Sequence, residues 1–293
     1  MRPRQLGEIR LARVLETEGP EWLPQALIPQ ATPENLAPHR HWLMPNIIDP
    51  ATGMLIMATQ SYVVRTRHHT ILIDTCVGEH KPRSYHASWN MRSGTRYLAD
   101  LAALGVQPEA VDFVMCTHLH PDHVGWNTRL VDGRWVPTFP NARYVFARAE
   151  YDFWEAKARR DPKKFADGSI IDSVLPVVAA GRAVMVGTDH ALDDQVWLEP
   201  SHGHTPGHCS VRLASQGRNA VMSGDLIHSP VQCAHPEWSS AGCFDKAQSA
   251  RTRIEFLNRY AESDTLVLTA HFPTPSVGYV VREGNAFRFR FDA

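Results

Sequence analysis

Cys116-Thr117-His118-Leu119-His120-Pro121-Asp122-His123-Val124-Gly125 sets three imidazoles and one carboxylate within six positions. The residues leading into it, Val111-Asp112-Phe113-Val114-Met115-Cys116, are a short apolar run of strand type. The cluster therefore stands where a buried strand ends and a loop begins. In extended chain His118 and His120 point to the same side. Pro121 biases His120 toward an extended conformation and lets the chain turn, so that Asp122 and His123 reach back from the next turn. A hard carboxylate and borderline nitrogens converging in this way make a ligand set for zinc or a similar transition metal.

The plain alternative is a His-rich surface loop, and a single His-x-His pair would support no more than that. Matching pieces downstream argue against it. They are His208 in Gly203-His204-Thr205-Pro206-Gly207-His208, Asp225 in Ser223-Gly224-Asp225, and His271 in Thr269-Ala270-His271-Phe272-Pro273. Each lies at the end of an apolar run or in a Gly/Pro loop. Five histidines and two carboxylates suit two metals that share a bridging carboxylate.

With these residues in place, the chain resembles the metallo-β-lactamase-fold superfamily. His-x-His-x-Asp-His, then a later His, an Asp and a final His, is that superfamily's dinuclear signature, and the likeness runs from about residue 53 to about residue 281. The resemblance implies an α/β (α+β) fold, an αββα sandwich of two mixed sheets flanked by helices, with the site at one rim. It assigns His118, His120 and His208 to one metal, Asp122, His123 and His271 to the other, and Asp225 to the bridge. Two divalent ions, zinc by preference, would activate a bridging hydroxide. Asp122, Asp225 and His228 are the residues assigned to the chemistry. His228 occupies the place where N-acyl-homoserine lactonases of this superfamily carry a tyrosine aimed at the substrate carbonyl, and it would donate to an oxyanion or protonate a leaving group. In relatives an aspartate at Asp74 supports the site without touching metal, and the plain alternative is a turn cap. For His204 and His235 the expectation is a backbone-orienting role rather than a metal one.

Composition narrows the function classes. A net charge of -1, from 30 basic and 31 acidic residues, speaks against nucleic acid as a partner. No apolar run approaches membrane-spanning length, and Met1-Arg2-Pro3-Arg4-Gln5-Leu6-Gly7-Glu8 leads into no apolar signal core. The five cysteines form no Cys-x-x-Cys pair, so they read as small buried residues kept reduced in the cytoplasm. Residues 1–50, with six prolines between positions 20 and 45, read as an extended arm packed on a hydrolase domain of residues 51–293, and the arm hints at a homodimer.

The remaining chain alternates short strands and helices. Strands are expected at 9–15, 54–59, 62–66, 70–74, 112–116, 142–147, 183–186, 196–199, 211–214, 220–223 and 265–268, with hairpins about Asp132-Gly133 and Glu283-Gly284-Asn285. His68-His69 reads as a turn. Helices are expected at 95–104, stopped by Gly105, at 150–160, at 169–180, and at 246–261 capped by Asp245.

Within the superfamily, the bridging Asp225 weighs against a true β-lactamase. The Asp74-Thr75-Cys76-Val77-Gly78 strand end and Trp126-Asn127 look most like quorum-quenching lactonases and methyl-parathion-type hydrolases. The expected activity is opening of a lactone or cleavage of a carboxylic ester, with N-acyl-homoserine lactones as small-molecule substrates. Phosphotriester hydrolysis is the alternative, with Trp126, Tyr151 and Trp154 as pocket candidates, and a thioesterase of the glyoxalase II type stands behind it.

Overall fold

The computed structural model describes residues 2–162 and 168–292. One sheet has the order β1 (Arg4–Leu6), β2 (Ile9–Trp22), β3 (Leu55–Arg65), β4 (Thr70–Ile73), β5 (Phe113–Met115), β8 (Arg143–Ala147), β9 (Ala183–Val186). The hairpin of β6 (Thr128–Val131) and β7 (Arg134–Pro137) stands apart from it. A second sheet runs in chain order through β10 (Val196–Pro200), β11 (Cys209–Ser215), β12 (Arg218–Met222), β13 (Leu266–Leu268), β14 (Val277–Glu283) and β15 (Ala286–Phe291). β4, β5, β8 and β9 pair in parallel, as do β12 and β13. Apart from His208, in the loop between β10 and β11, the candidate ligands follow the carboxyl ends of β5, β12 and β13, where the loops of parallel strands commonly gather function.

The chain divides into two bodies, residues 2–16 with 59–190, and residues 17–58 with 191 onward. In the first, Val63, Leu72, Val114, Tyr144 and Phe146 from the strands meet Leu101 and Val177 from the helices. Tyr97 stacks on Trp126 with ring centroids 5.2 Å apart. Each such side chain contributes roughly 1.5–3 kcal/mol by leaving water. In the second body, Phe256, Leu257 and Tyr260 of the helix Lys246–Tyr260 pack with Val267, Phe272 and Phe289. Asp245 caps that helix as expected, accepting from Gln248 N at 2.8 Å.

Three expectations change. The stretch read as an extended arm holds β1 and β2 and continues as one-turn helices Pro24–Leu27, Pro33–Leu36 and Arg40–Leu43. Pro24 and Pro33 start helices because a first helical position needs no N–H and a fixed φ suits it. A boundary at residue 50 falls within one apolar cluster, where Ile28, Leu43 and Ile48 pack with Leu55 and Met57. The strands expected at 54–59 and 62–66 are the single strand β3. The helix expected from 169 opens as a π-helical turn, Ile170–Val174, before the α-helix Leu175–Ala179.

That turn carries Asp172, whose carboxylate takes Arg83 through two bonds of 2.6 and 2.9 Å. Lys81 donates to Thr128 Oγ1 and to the Asp172 carbonyl and lies 3.6 Å over the Trp135 ring. All three charged side chains are buried. Burial pushes the Lys81 amine down to about 7, against the pull of Asp172. Asp172→Ala leaves two buried cations without this carboxylate and should cost about 3–5 kcal/mol in urea unfolding. Because unfolded Lys81 holds its proton toward 10.5 and folded Lys81 only toward about 7, the unfolded chain binds more protons between those values. Stability from this residue therefore rises with pH across that window, by at most about 1.4 kcal/mol per unit. Lys81→Met should flatten the rise.

Candidate metal centre

In the first body the loop after β5 is built as its residues dictate. His120 is extended (φ -68°, ψ 158°), and Pro121 opens the single turn Pro121–Val124 that carries Asp122 and His123. His118 Nε2 and His120 Nδ1 approach to 2.9 Å, and the His118 and His123 rings lie 4.1 Å apart. Asp74, in the left-handed region at φ 56°, organises the loop from below. Its carboxylate accepts from Thr117 N at 2.8 Å, Thr117 Oγ1 at 2.9 Å and His123 Nδ1 at 2.9 Å. A carboxylate only accepts, so His123 carries its proton on Nδ1 and a lone pair on Nε2. Thr117 spends its proton on Asp74, so its oxygen accepts from His118 Nδ1 at 3.1 Å, which leaves His118 Nε2 a lone pair.

The peptide groups of the loop are clamped as well. Leu119 N donates to Glu150 Oε1 at 3.1 Å, and Ser169 Oγ donates to Leu119 O at 2.7 Å. Glu150 also takes the Trp154 indole at 2.6 Å, and the Trp154 ring meets His120 edge-on at 5.3 Å. Gly125 is required by contact: a Cβ there would lie 1.8 Å from Val77 O. Beside it, buried Glu16 accepts from Val77 N, Gly78 N, Trp126 Nε1 and Arg92. Burial, opposed by Arg92, raises the Glu16 carboxyl above its usual range.

In the second body Asp225 leaves β12 in the turn Gly224–Leu226 and faces three imidazoles. His271 Nε2 is 2.9 Å from Oδ1, while His204 Nε2 and His228 Nε2 are 3.2 and 3.3 Å from Oδ2. His271 Nδ1 meets the Ala58 carbonyl at 3.0 Å, so the proton of that ring lies there. Against burial, Asp225 draws His204 up to about 9. Burial outweighs Asp225 at His228 and brings it down to about 4.

His208 and His204 take different partners. The Nδ1 of His208 lies 3.0 Å from the Ser201 carbonyl, and its Nε2 accepts from Asp225 N at 3.0 Å. Both nitrogens hold backbone, and the ring thereby fixes the Asp225 peptide. The imidazole aimed at the carboxylate is His204, the residue expected only to orient backbone. His235 stacks on Trp238 and meets His39 Nε2 at 2.7 Å, away from these groups. Glu16 and Glu150 reach the loop's surroundings from 110 and 31 positions away, separations that local sequence does not mark.

The donor chemistry fits cations. A neutral His271, protonated on Nδ1, turns an Nε2 lone pair toward the Asp225 oxygen. His123 does the same toward Asp122, with Nε2 and Oδ2 3.6 Å apart. Two electron-pair donors facing each other in a buried place call for a cation or an added proton between them.

This fold and these residues define a class. The chain belongs to the metallo-beta-lactamase superfamily, whose pattern matches residues 56–281. Among relatives, the N-acyl homoserine lactonase of Bacillus cereus is 24% identical over 180 residues, covering 58% of this chain and 64% of that protein. The N-acyl homoserine lactonase AttM of Azorhizobium caulinodans is 32% identical over 134 residues, 43% of this chain and 46% of the relative. The chain thus spans less than two thirds of these relatives' length. Among solved structures, AidC, a dizinc quorum-quenching lactonase in complex with a product, aligns with a TM-score of 0.80 at 22% identity, covering 100% of this chain and 97% of AidC. The hydrolase AbOPH aligns equally well, 0.80 at 24% identity over 99% and 98% of the two chains.

Asp74→Asn keeps shape but removes a charged acceptor from His123 Nδ1. It should weaken metal retention about 10–100-fold in competition with a chelator, with the secondary structure unchanged by circular dichroism.

Proposed function

We propose that the protein is a metal-dependent hydrolase that opens lactones, with N-acyl-homoserine lactones as the substrate class. The observation that carries this is the orientation of His123 and His271, whose outer nitrogens are committed to Asp74 and Ala58 O while their inner lone pairs face carboxylates. The lactonases named above support the choice of substrate.

Two divalent cations, zinc by ligand type, would be held by His118, His120, Asp122, His123, His204, Asp225 and His271. His204 takes the place expected of His208, which is occupied with the Ser201 carbonyl and the Asp225 peptide. When bound, such ions acidify water toward neutrality and polarise an acyl carbonyl. Asp225 offers both its oxygens, and its orientation is set from His208 through the backbone. His228 is buried, and its Nδ1 has no hydrogen-bond partner among the described residues. We assign it the role of donor to the substrate's developing oxyanion or leaving oxygen. Glu150 and Ser169 keep the His118–His120 backbone from shifting as charge changes. Five free, buried cysteines suit a reducing compartment, and we place the protein in the cytoplasm.

Metal analysis and ring opening test the reading together. The wild type should take two equivalents of zinc and release protons from N-acyl-homoserine lactones, whereas His204→Ala should lose one equivalent and His208→Ala should keep both. A protein loaded with two metals that leaves these lactones intact, while cleaving chromogenic phosphotriesters, would overturn the substrate assignment. His228→Ala should lower kcat by about 10²-fold or more with metal content unchanged.

A further inference from the structure

His204 is held from its outer side by a thiol. Cys243 Sγ lies 3.5 Å from His204 Nδ1 and 3.4 Å from Ser249 Oγ. Ser249 Oγ in turn accepts from Arg253 Nη2 at 3.0 Å. Arg253 is fully buried and anchored by carbonyls, with Nε on Leu226 O at 2.7 Å and Nη1 on Pro236 O and Trp238 O at 2.8 and 2.7 Å. A chain of polar contacts therefore runs from a fixed guanidinium through a hydroxyl and a sulfur to the imidazole.

The backbone holds this chain in place. Phe244 N donates to His204 O at 2.9 Å and Asp245 N to Gly203 O at 3.0 Å, so Cys243 is laced to the loop it serves. Gly203 has φ +126° and presses on the start of the helix Lys246–Tyr260, where a Cβ would come within 2.3 Å of Ser249 N. Cys243 itself is buried. A ring that presents Nε2 to a cation must carry its proton on Nδ1, and the group that receives this proton sets both the tautomer and the donor strength. Carboxylates and carbonyls usually fill that role. Here a polarisable sulfur does, with its own S–H directed to Ser249 and a buried positive charge two contacts behind it.

We propose that Cys243 is a positioning residue for the metal ligand His204, accepting the Nδ1 proton and fixing the ring for its cation. This rests on the reading of His204 as a ligand. The experiment compares zinc retention against a chelator in the full-length wild type, Cys243→Ala, Cys243→Ser and His204→Ala, with the unfolding midpoint of each metal-free protein. Cys243→Ala should lose at least about tenfold in affinity at one of two sites. Cys243→Ser, whose hydroxyl can accept the same proton, should recover most of the loss, and metal-free midpoints should stay together. Wild-type affinity in Cys243→Ala would overturn the proposal, as would equal losses in Ala and Ser variants accompanied by a lowered metal-free midpoint. If His204→Ala keeps both equivalents, the ligand assignment itself has failed and the role of Cys243 falls with it.

Discussion

A carboxylate oxygen that faces an imidazole lone pair in a buried place is the constraint on which this structure turns. At Asp225 and His271 the two atoms are 2.9 Å apart, and the ring cannot turn away because Ala58 O holds its other nitrogen. Water cannot relieve the pair, since both side chains are nearly covered. Leaving such groups without a cation or added proton is costly. In the same body His208 holds the Asp225 peptide; in the other body Asp74 and Thr117 fix the rings of His123 and His118 in a comparable way.

The delivery of these groups follows from strand direction. Asp74 follows β4, the histidine loop follows β5 and Glu150 comes shortly after β8, and these three strands are parallel neighbours. In the other body Asp225 and His271 follow β12 and β13, again a parallel pair. Parallel strands release their chains at one common end, so residues distant in sequence emerge side by side. The cost appears locally. Asp74 and Cys76 occupy the left-handed region, a strained setting for residues with side chains. Three bonds to Asp74 and the Thr75–His123 backbone pair, 2.7 Å, hold that turn.

What could be read from the chain depended on how local the physics is. His-x-His-x-Asp-His after an apolar run was legible because strand alternation and one proline dictate where its side chains point. Asp245 and Gly105 were legible for the same reason. His204 and His208 were not distinguishable, since both are imidazoles on one Thr-Pro-Gly loop. What separates them is the sheet: His208 precedes Cys209, which pairs with Pro200, and this brings its ring against the Ser201 carbonyl. Glu16 meets Trp126 from 110 positions away, a partnership no window could reveal. The proline-rich stretch misled because proline opens helical turns as readily as it extends a chain.

The outer partners also make the imidazoles unequal. His123 donates its outer proton to a carboxylate, His271 to a peptide carbonyl, His118 to a hydroxyl oxygen and His204 to a thiol sulfur. A charged acceptor draws that proton most strongly and leaves the inner nitrogen most basic. By this order His123 is the strongest nitrogen donor of the four. Asp122 stands beside it and adds an anionic oxygen. His118, backed by a neutral hydroxyl and adjoining His120, offers a softer and less basic pair. Two cations held by such sets would differ in affinity and in acidity, so the pattern of outer partners would make the two positions unequal.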